Sequence, residues 1–262
     1  MDLPQRVQCP QHTLYLRLHT VSTQVKPNPE SDASKKQQVE EMFDNISHRY
    51  DFLNHLLSLG IDRGWRRRVR KELAKGNPKR ILDVATGTAD LAIELSKLGD
   101  VKIIGVDISR GMLDMGDVKL AKRNLTQSIT LQQADSEKLP FTDNEFDAVS
   151  VAFGVRNFEN LEAGMKEMNR VLKAGGKLAV LEFSKPKNKV VDAFYWFYFR
   201  NVLPTIGKLF SKDARAYTYL PESVSKFPEG NDFAQIAKNC GFADVRCLPL
   251  SFGISTLYIC EK

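Results

Sequence analysis

The first residues whose types and spacing could do chemistry lie in the run Ile81-Leu82-Asp83-Val84-Ala85-Thr86-Gly87-Thr88-Ala89-Asp90-Leu91. A short apolar run stops at a tight turn bearing one glycine, and a helical pattern begins at once. In a doubly wound sheet, the carboxyl end of the first strand is where a nucleotide-like ligand lies. The pyrophosphate of a dinucleotide calls for G-x-G-x-x-G, so that bare backbone can approach it. Here only Gly87 stands in the turn, among Thr86, Thr88 and Ala89. That argues against a dehydrogenase and fits a smaller ligand with an amino-acid end, such as S-adenosylmethionine.

Two further strand ends carry matching chemistry. Ile103-Ile104-Gly105-Val106 leads into Asp107, whose carboxylate could accept hydrogen bonds from both hydroxyls of an adenosine ribose. Gln133-Ala134-Asp135-Ser136 closes the third run, where a carboxylate or hydroxyl could reach an adenine amino group. A lone Asp after a strand is often a helix cap, but Ser109 is the better cap here. Three such positions at successive strand ends are hard to obtain by chance.

Elements must hold these turns in place. The apolar pattern predicts strands at Arg80–Val84, Val101–Val106, Ile129–Gln133, Phe146–Phe153, Lys177–Phe183, Val245–Leu250 and Thr256–Cys260. Helices are expected near Ala89–Leu98, Met112–Asn124 and Asn160–Lys173, and strand–helix alternation implies a parallel sheet covered on both faces. Gly253 separates the last two strands as a hairpin-like pair, so the final strand is expected to run antiparallel. Upstream, Val39, Met42, Phe43, Ile46 and Tyr50 mark one face of an amphipathic helix, with apolar character continuing to Gly60. Residues 1–34 carry little periodicity and four prolines, and are expected to form a flexible extension. The domain is then 35–262, with an insertion at 187–228. Within it, 190–210 is the most aromatic stretch of the chain and reads either as a buried helical cap or as a lid over an apolar substrate.

The chain carries 38 Lys plus Arg against 32 Asp plus Glu, a net charge of +6, and much of that excess sits in Arg66-Arg67-Arg68-Val69-Arg70-Lys71. The run could be a solvated helix face or a patch for anionic lipid. Basic and aromatic residues are segregated (66–71 and 194–199) rather than interleaved, so a single-stranded nucleic acid partner is not expected. The four cysteines show no metal spacing, so neither a metal site nor a disulfide framework is indicated and reducing cytoplasm is the expected compartment. No apolar run is long enough to span a bilayer, and no secretion signal is visible.

Longer signatures are more specific. Tyr50-Asp51-Phe52-Leu53-Asn54-His55-Leu56-Leu57-Ser58 with Trp65, Phe153-Gly154-Val155-Arg156-Asn157, and Arg170-Val171-Leu172-Lys173-Ala174-Gly175-Gly176-Lys177 through Glu182-Phe183-Ser184 stand in order. From about Val39 to the C-terminus the chain resembles the ubiquinone/menaquinone biosynthesis C-methyltransferases, which are class I enzymes using S-adenosylmethionine. Asp62 stands where that family usually has His, and Ala174 replaces its usual Pro. The resemblance implies a Rossmann-like, doubly wound, mostly parallel seven-stranded sheet with an antiparallel terminal strand. It implies cofactor contacts by Tyr50, Asp83, Ala85, Gly87, Thr88 and Asp107, and by Ile108, Met112, Asp135, Ser136 and Ala152. It implies methylation of a ring carbon of a prenylated hydroquinone, with Arg156, Asn157 and Tyr219 on the acceptor side. Asn54, one helical turn from Tyr50, could close over the cofactor. Demethylmenaquinol is the favoured acceptor, and a 2-methoxy-6-polyprenyl-benzoquinol or another small molecule the alternative. A transient contact at the anionic inner face of the cell membrane and a homodimer are further options, as is a non-catalytic cofactor-binding subunit. Against that last option, Arg156 and Asn157 are both present.

Overall fold

The structure, a computed structural model, describes residues 25–57, 60–186, 188–198, 201 and 215–262. Seven strands form one sheet: β1 (Arg80–Val84), β2 (Lys102–Asp107), β3 (Ile129–Gln133), β4 (Phe146–Ala152), β5 (Leu172–Phe183), β6 (Asp244–Leu250) and β7 (Ser255–Glu261). Their order is β3-β2-β1-β4-β5-β7-β6. β1 to β5 pair in parallel, whereas β7 is antiparallel to both β5 and β6, as the terminal pattern predicts. The chain order reverses between β1 and β4, which opens a crevice at the carboxyl ends of the strands. In register, Val84 faces Val106 on one side and Val151 on the other. The residues after β1, β2 and β4 therefore converge on that crevice.

These strands are nearly continuous apolar runs because both faces are covered. On one face, Leu82, Val84, Val106, Val149, Val151 and Val180 pack with Met165 and Met168 of α5 (Leu161–Val171). On the other, Ile81, Ile103, Ala148, Ala179 and Leu181 pack with α2 (Asp62–Ala74) and α3 (Asp90–Leu95). The basic run lies on α2. Its buried stripe is Trp65, Val69 and Leu73 at four-residue spacing, an amphipathic signal that the dense arginines obscure in the sequence. The remaining helices are α1 (Lys35–Leu57), α4 (Arg110–Lys122), α6 (Lys189–Phe197), α7 (Arg215–Lys226) and α8 (Asn231–Asn239).

Several boundaries differ from the sequence expectation. The helix expected over 89–98 is α3 followed by a 3-10 turn at Ser96–Leu98. β5 starts at Leu172 rather than Lys177, because pairing with β4 resumes across an irregularity that contains Gly175 at φ 75°. The strand expected to reach Phe153 ends at Ala152, since Phe153 adopts φ 59° and turns the chain out of the sheet. The extension expected over 1–34 is described only from residue 25. There Val25 packs against Val39, Met42 and Tyr219, and the Asn28 N–H donates to Gln38 Oε1 at 2.8 Å. Of the 187–228 insertion, α6 and α7 are described, while Arg200, Pro204 and Lys208 lie outside the described residues. Among the described residues, no helix is long and apolar enough to cross a membrane.

Candidate active site

A cleft of about 710 Å³ opens at the carboxyl ends of β1, β2 and β4. Its floor is made by a strained turn. After β1 the chain passes through Ala85 at φ 50°, Gly87 at φ 56° and Ala89 at φ 67°. Left-handed backbone at two alanines costs free energy, and such strain concentrates at binding sites. Asp83 holds the turn in place. Its carboxylate accepts from Thr86 Oγ1 and Ser150 Oγ, each at 2.6 Å, so β1, the turn and β4 share one anchor. Burial pushes the Asp83 carboxyl up to about 6. Gly154 completes the floor, where a Cβ would lie 2.5 Å from the Ala85 Cβ.

Of the eleven residues expected to touch a cofactor, nine line this cleft: Tyr50, Ala85, Gly87, Asp107, Ile108, Met112, Asp135, Ser136 and Ala152. Asp83 and Thr88 are placed beneath it instead. Asp83 is fully enclosed by the anchor just described. Thr88 Oγ1 bonds Asp51 Oδ1 at 2.5 Å and receives Lys119 Nζ at 2.9 Å, linking α1, the turn and α4. Short polar side chains in a ligand-binding turn look alike in sequence, whether they face the ligand or the scaffold.

Asp107 is the central acid of the cleft. Its Oδ2 accepts the Gly87 N–H at 2.8 Å, and its Oδ1 accepts the Ser109 N–H at 2.9 Å. Ser109 is the expected N-cap of α4, accepting the Met112 N–H at 3.1 Å. Burial pushes Asp107 up to about 6 despite these donors, and Asp44 nearby adds to the rise. Asp135 at the mouth pairs with Lys36 of α1 at 2.6 Å. The same helix contributes Val39 and Phe43 to the wall, the latter edge-to-face with Tyr50 at 5.9 Å. Lys36, Val39 and Phe43 were not singled out from sequence as site residues. For the latter two the available signal was the amphipathic face that they share with Tyr50. The Asn54 side chain lies outside the described residues.

At the far end, Val155–Asn157 form a 3-10 turn directly after β4. Asn157 lines the cleft. Arg156 is buried against β5, where its Nη1 donates to Glu182 Oε1 at 2.8 Å and also to the Phe153 carbonyl. Its guanidinium stands 5.7 Å from the centre of the Phe183 ring. Lys35 of α1 supports the turn from behind, donating to the carbonyls of Arg156 at 2.9 Å and Phe158 at 2.7 Å. Burial, then the Arg156 charge, hold Lys35 down at about 8.

Four buried polar atoms here have no hydrogen-bond partner among the described residues: Arg156 Nε, Asn157 Oδ1, Glu182 Oε2 and Tyr219 Oη. Leaving such a group unsatisfied typically costs about 1–3 kcal/mol. Tyr219 of α7 and Tyr195 of α6 sit within the field of the pair. Burial raises both phenols well above the usual range, Arg156 opposes the rise and Glu182 adds to it. Glu182 and Tyr195 were missed as site residues in the sequence, although Glu182 stands inside the quoted signature.

The basic run is largely spent on the fold. Arg66 pairs with Asp62 and, at 3.5 Å, with Asp90; Arg68 pairs with Glu72 at 3.0 Å and Arg70 with Glu94 at 2.9 Å. Asp62, the departure from the family pattern, thus neutralises a buried arginine within its own helix.

The cleft suits S-adenosylmethionine. A half-buried carboxylate, Asp107, stands beside a glycine turn that offers no pyrophosphate cradle. Small residues (Ala85, Gly87, Ala152) floor the cleft, and a second carboxylate, Asp135, stands at its mouth. Solved structures agree on the fold. A SAM-dependent methyltransferase from Aquifex aeolicus matches with TM-score 0.54 at 18% identity, covering 74% of this chain and 88% of that one. A Methanococcus maripaludis structure described as a putative S-adenosyl-L-methionine-dependent methyltransferase matches with TM-score 0.55 at 19% identity, covering 90% and 97%. Sequence relatives are much nearer. The demethylmenaquinone methyltransferase of Bacteroides fragilis is 47% identical over 88% of this chain and 95% of its own length. The ubiquinone/menaquinone biosynthesis C-methyltransferase UbiE of Geotalea uraniireducens is 46% identical over 87% and 97%. The family described as ubiE/COQ5 methyltransferase matches residues 31–262, which takes in the α1 wall, the cleft and the Arg156 turn alike. This chain belongs to the ubiE/COQ5 methyltransferase family and is an S-adenosylmethionine-dependent methyltransferase.

Proposed function

We propose that the protein methylates a ring carbon of a prenylated hydroquinone, with demethylmenaquinol as acceptor and menaquinol as product. The observation that supports this reading is the buried Arg156–Glu182 pair next to Asn157, which lines the cleft, with an unpartnered polar atom on each of the three among the described residues. The names carried by relatives at 43–47% identity point the same way.

S-adenosylmethionine, when bound, supplies the methyl group as a sulfonium electrophile, so the protein needs no nucleophile of its own. The work left to the chain is orientation. Asp107 would hold the ribose hydroxyls; Asp135 and Ser136 would hold the adenine; Ala85, Gly87, Ile108, Met112, Ala152 and Tyr50 would enclose the rest. Fixing the acceptor carbon at near-attack distance converts a bimolecular encounter into an effectively unimolecular step. Arg156 is the cation that favours the phenolate form of the ring, which makes the neighbouring carbon nucleophilic. A guanidinium stays protonated in proteins, so Arg156 stabilises the charge without taking the proton. Asn157 and Tyr219 place the hydroxyl, and α6 and α7 wall the path of the prenyl tail. Because that tail partitions into a bilayer, the enzyme meets the anionic inner membrane surface transiently, through exposed cations of α2 such as Arg67 and Lys71. Liposome flotation that finds no binding removes the membrane contact.

Relatives named for both quinones make a benzoquinol acceptor the second reading. The decisive experiment follows labelled methyl from S-adenosylmethionine into reduced demethylmenaquinone in detergent, with 2-methoxy-6-polyprenyl-1,4-benzoquinol in parallel. Product with the naphthoquinol alone establishes the menaquinone branch. Transfer to neither, from protein that binds the cofactor, refutes the acceptor assignment.

A further inference from the structure

We propose that Glu182 is the proton acceptor for the ring hydroxyl of the quinol, with Arg156 holding the phenolate that results; the assignment rests on the quinol reading above. Glu182 stands at the carboxyl end of β5, beside the end of β4 through the pairing of Leu181 with Ala152. Its Oε1 is engaged twice, by Arg156 Nη1 and by the Phe183 N–H, each at 2.8 Å. Its Oε2 is buried and has no donor among the described residues. A carboxylate held through one oxygen, with the other out of water and unpartnered among the described residues, is built to accept a hydroxyl proton.

Among the described residues the other acids of the cleft are engaged elsewhere, Glu137 by the Glu159 and Asn160 N–H groups and Glu159 by that of Lys35. Both oxygens of Asp83 are bonded beneath the floor, and both of Asp107 accept backbone N–H groups. Asp135 is paired with Lys36 at the mouth, and His48 is on an exposed face of α1. Tyr195 and Tyr219 are held protonated by burial, so they donate rather than accept. The charged and titratable groups around Glu182 are Arg156 from the turn after β4, Tyr195 from α6, Tyr219 from α7 and Tyr258 from β7.

The step conserves charge. The quinol O–H bond breaks and its proton passes to Oε2, so Arg156 exchanges a carboxylate partner for a phenolate. No charge is created in the buried site; one is moved. The ring carbon then uses the released electron density to form the new C–C bond as the carbon–sulfur bond breaks, its pair leaving with sulfur. Loss of that carbon's own proton to water, with return of the Glu182 proton to the oxygen, restores the aromatic quinol. One proton is released per turnover. Burial raises the Glu182 carboxyl, which narrows its gap to the phenol.

The test compares kcat and KM across pH 6–9.5 for wild type, Glu182→Gln and Glu182→Asp with reduced demethylmenaquinone, alongside S-adenosylhomocysteine binding and thermal melting. Glu182→Gln is expected to lose about 10²–10⁴-fold in kcat near neutral pH. Its KM should stay within about threefold, and its kcat should recover tenfold per pH unit as the acceptor ionises unaided. Glu182→Asp should retain the wild-type pH limb at a lower kcat. A Glu182→Gln protein within tenfold of wild type, or one that loses the same factor at every pH, overturns the assignment. If Glu182→Gln does not fold, an unchanged kcat in Glu182→Asp overturns it instead. Absence of wild-type transfer to any quinol is a different result and defeats the acceptor reading itself.

Discussion

Replacing Arg156 by Ala separates stability from catalysis at one site. Its side chain is 8% exposed and that of Glu182 only 1%, with 2.8 Å between them. Truncation leaves a buried carboxylate with only backbone N–H groups, those of Phe183 and of residue 156 itself, as donors. Breaking a buried pair in this way typically costs about 3–5 kcal/mol. For a chain of this size that corresponds to a fall in Tm of about 6–20 °C. The size should depend on pH in a definite direction. Without Arg156 the folded-state pKa of Glu182 rises further above its unfolded value, so the folded protein holds the proton more tightly. Stability in that window is greatest at low pH and falls as pH rises through the folded pKa, by about 1.4 kcal/mol per unit. The deficit against wild type therefore grows from pH 5 toward pH 8. Exchanging both partners for apolar groups, as Arg156→Met with Glu182→Leu, removes the stranded charge and is expected to restore most of the lost stability. Activity should follow a different course. The single variant loses about 10²–10³-fold in kcat with loss of the cation, and the double variant stays inactive. Melting curves at several pH values and single-turnover methyl transfer on the same samples provide the measurement. A single variant destabilised by less than about 1 kcal/mol at pH 8, or a double variant no more stable than the single, would refute the reasoning.

Other perturbations probe the cofactor end. Asp107→Asn keeps the shape but exchanges one acceptor oxygen for a donor, so affinity for S-adenosylhomocysteine should fall about 10–100-fold by calorimetry. With the Asp107 carboxyl at about 6, wild-type affinity should weaken as pH drops through that value, and a constant affinity from pH 8 to 5 would contradict its role as an ionised acceptor. In Gly154→Ala the added Cβ would sit 2.5 Å from the Ala85 Cβ and 3.0 Å from Val151 Cγ2. Relief must come from the floor of the cleft, costing about 1–3 kcal/mol of stability together with cofactor affinity. An unchanged melting temperature would show that the floor is looser than described.

Much of this molecule is legible in its residue order, and the limit has a physical reason. Periodicity identifies buried strands because a side chain alternates with its neighbour, and it identifies helices through a repeat of three to four. The seven strands, their antiparallel end and the α1 face follow from local pattern, as do the strand-end positions of Gly87, Asp107, Asp135 and Arg156. What local pattern cannot encode is which strand end lies beside which. Arg156 meets Glu182 across 26 residues and Lys35 across 121, through contacts set by strand order and by how α1 folds back. Tertiary structure likewise decided that Asp83 and Thr88 brace the floor while Asp107 lines the cleft. It also decided that most of the arginine run is spent on Asp62, Glu72, Asp90 and Glu94 rather than offered to a partner. A carboxylate in a turn has the same sequence signature whether its oxygens meet a ligand, a hydroxyl of the scaffold or a buried arginine. Only the packing of distant elements around it determines which.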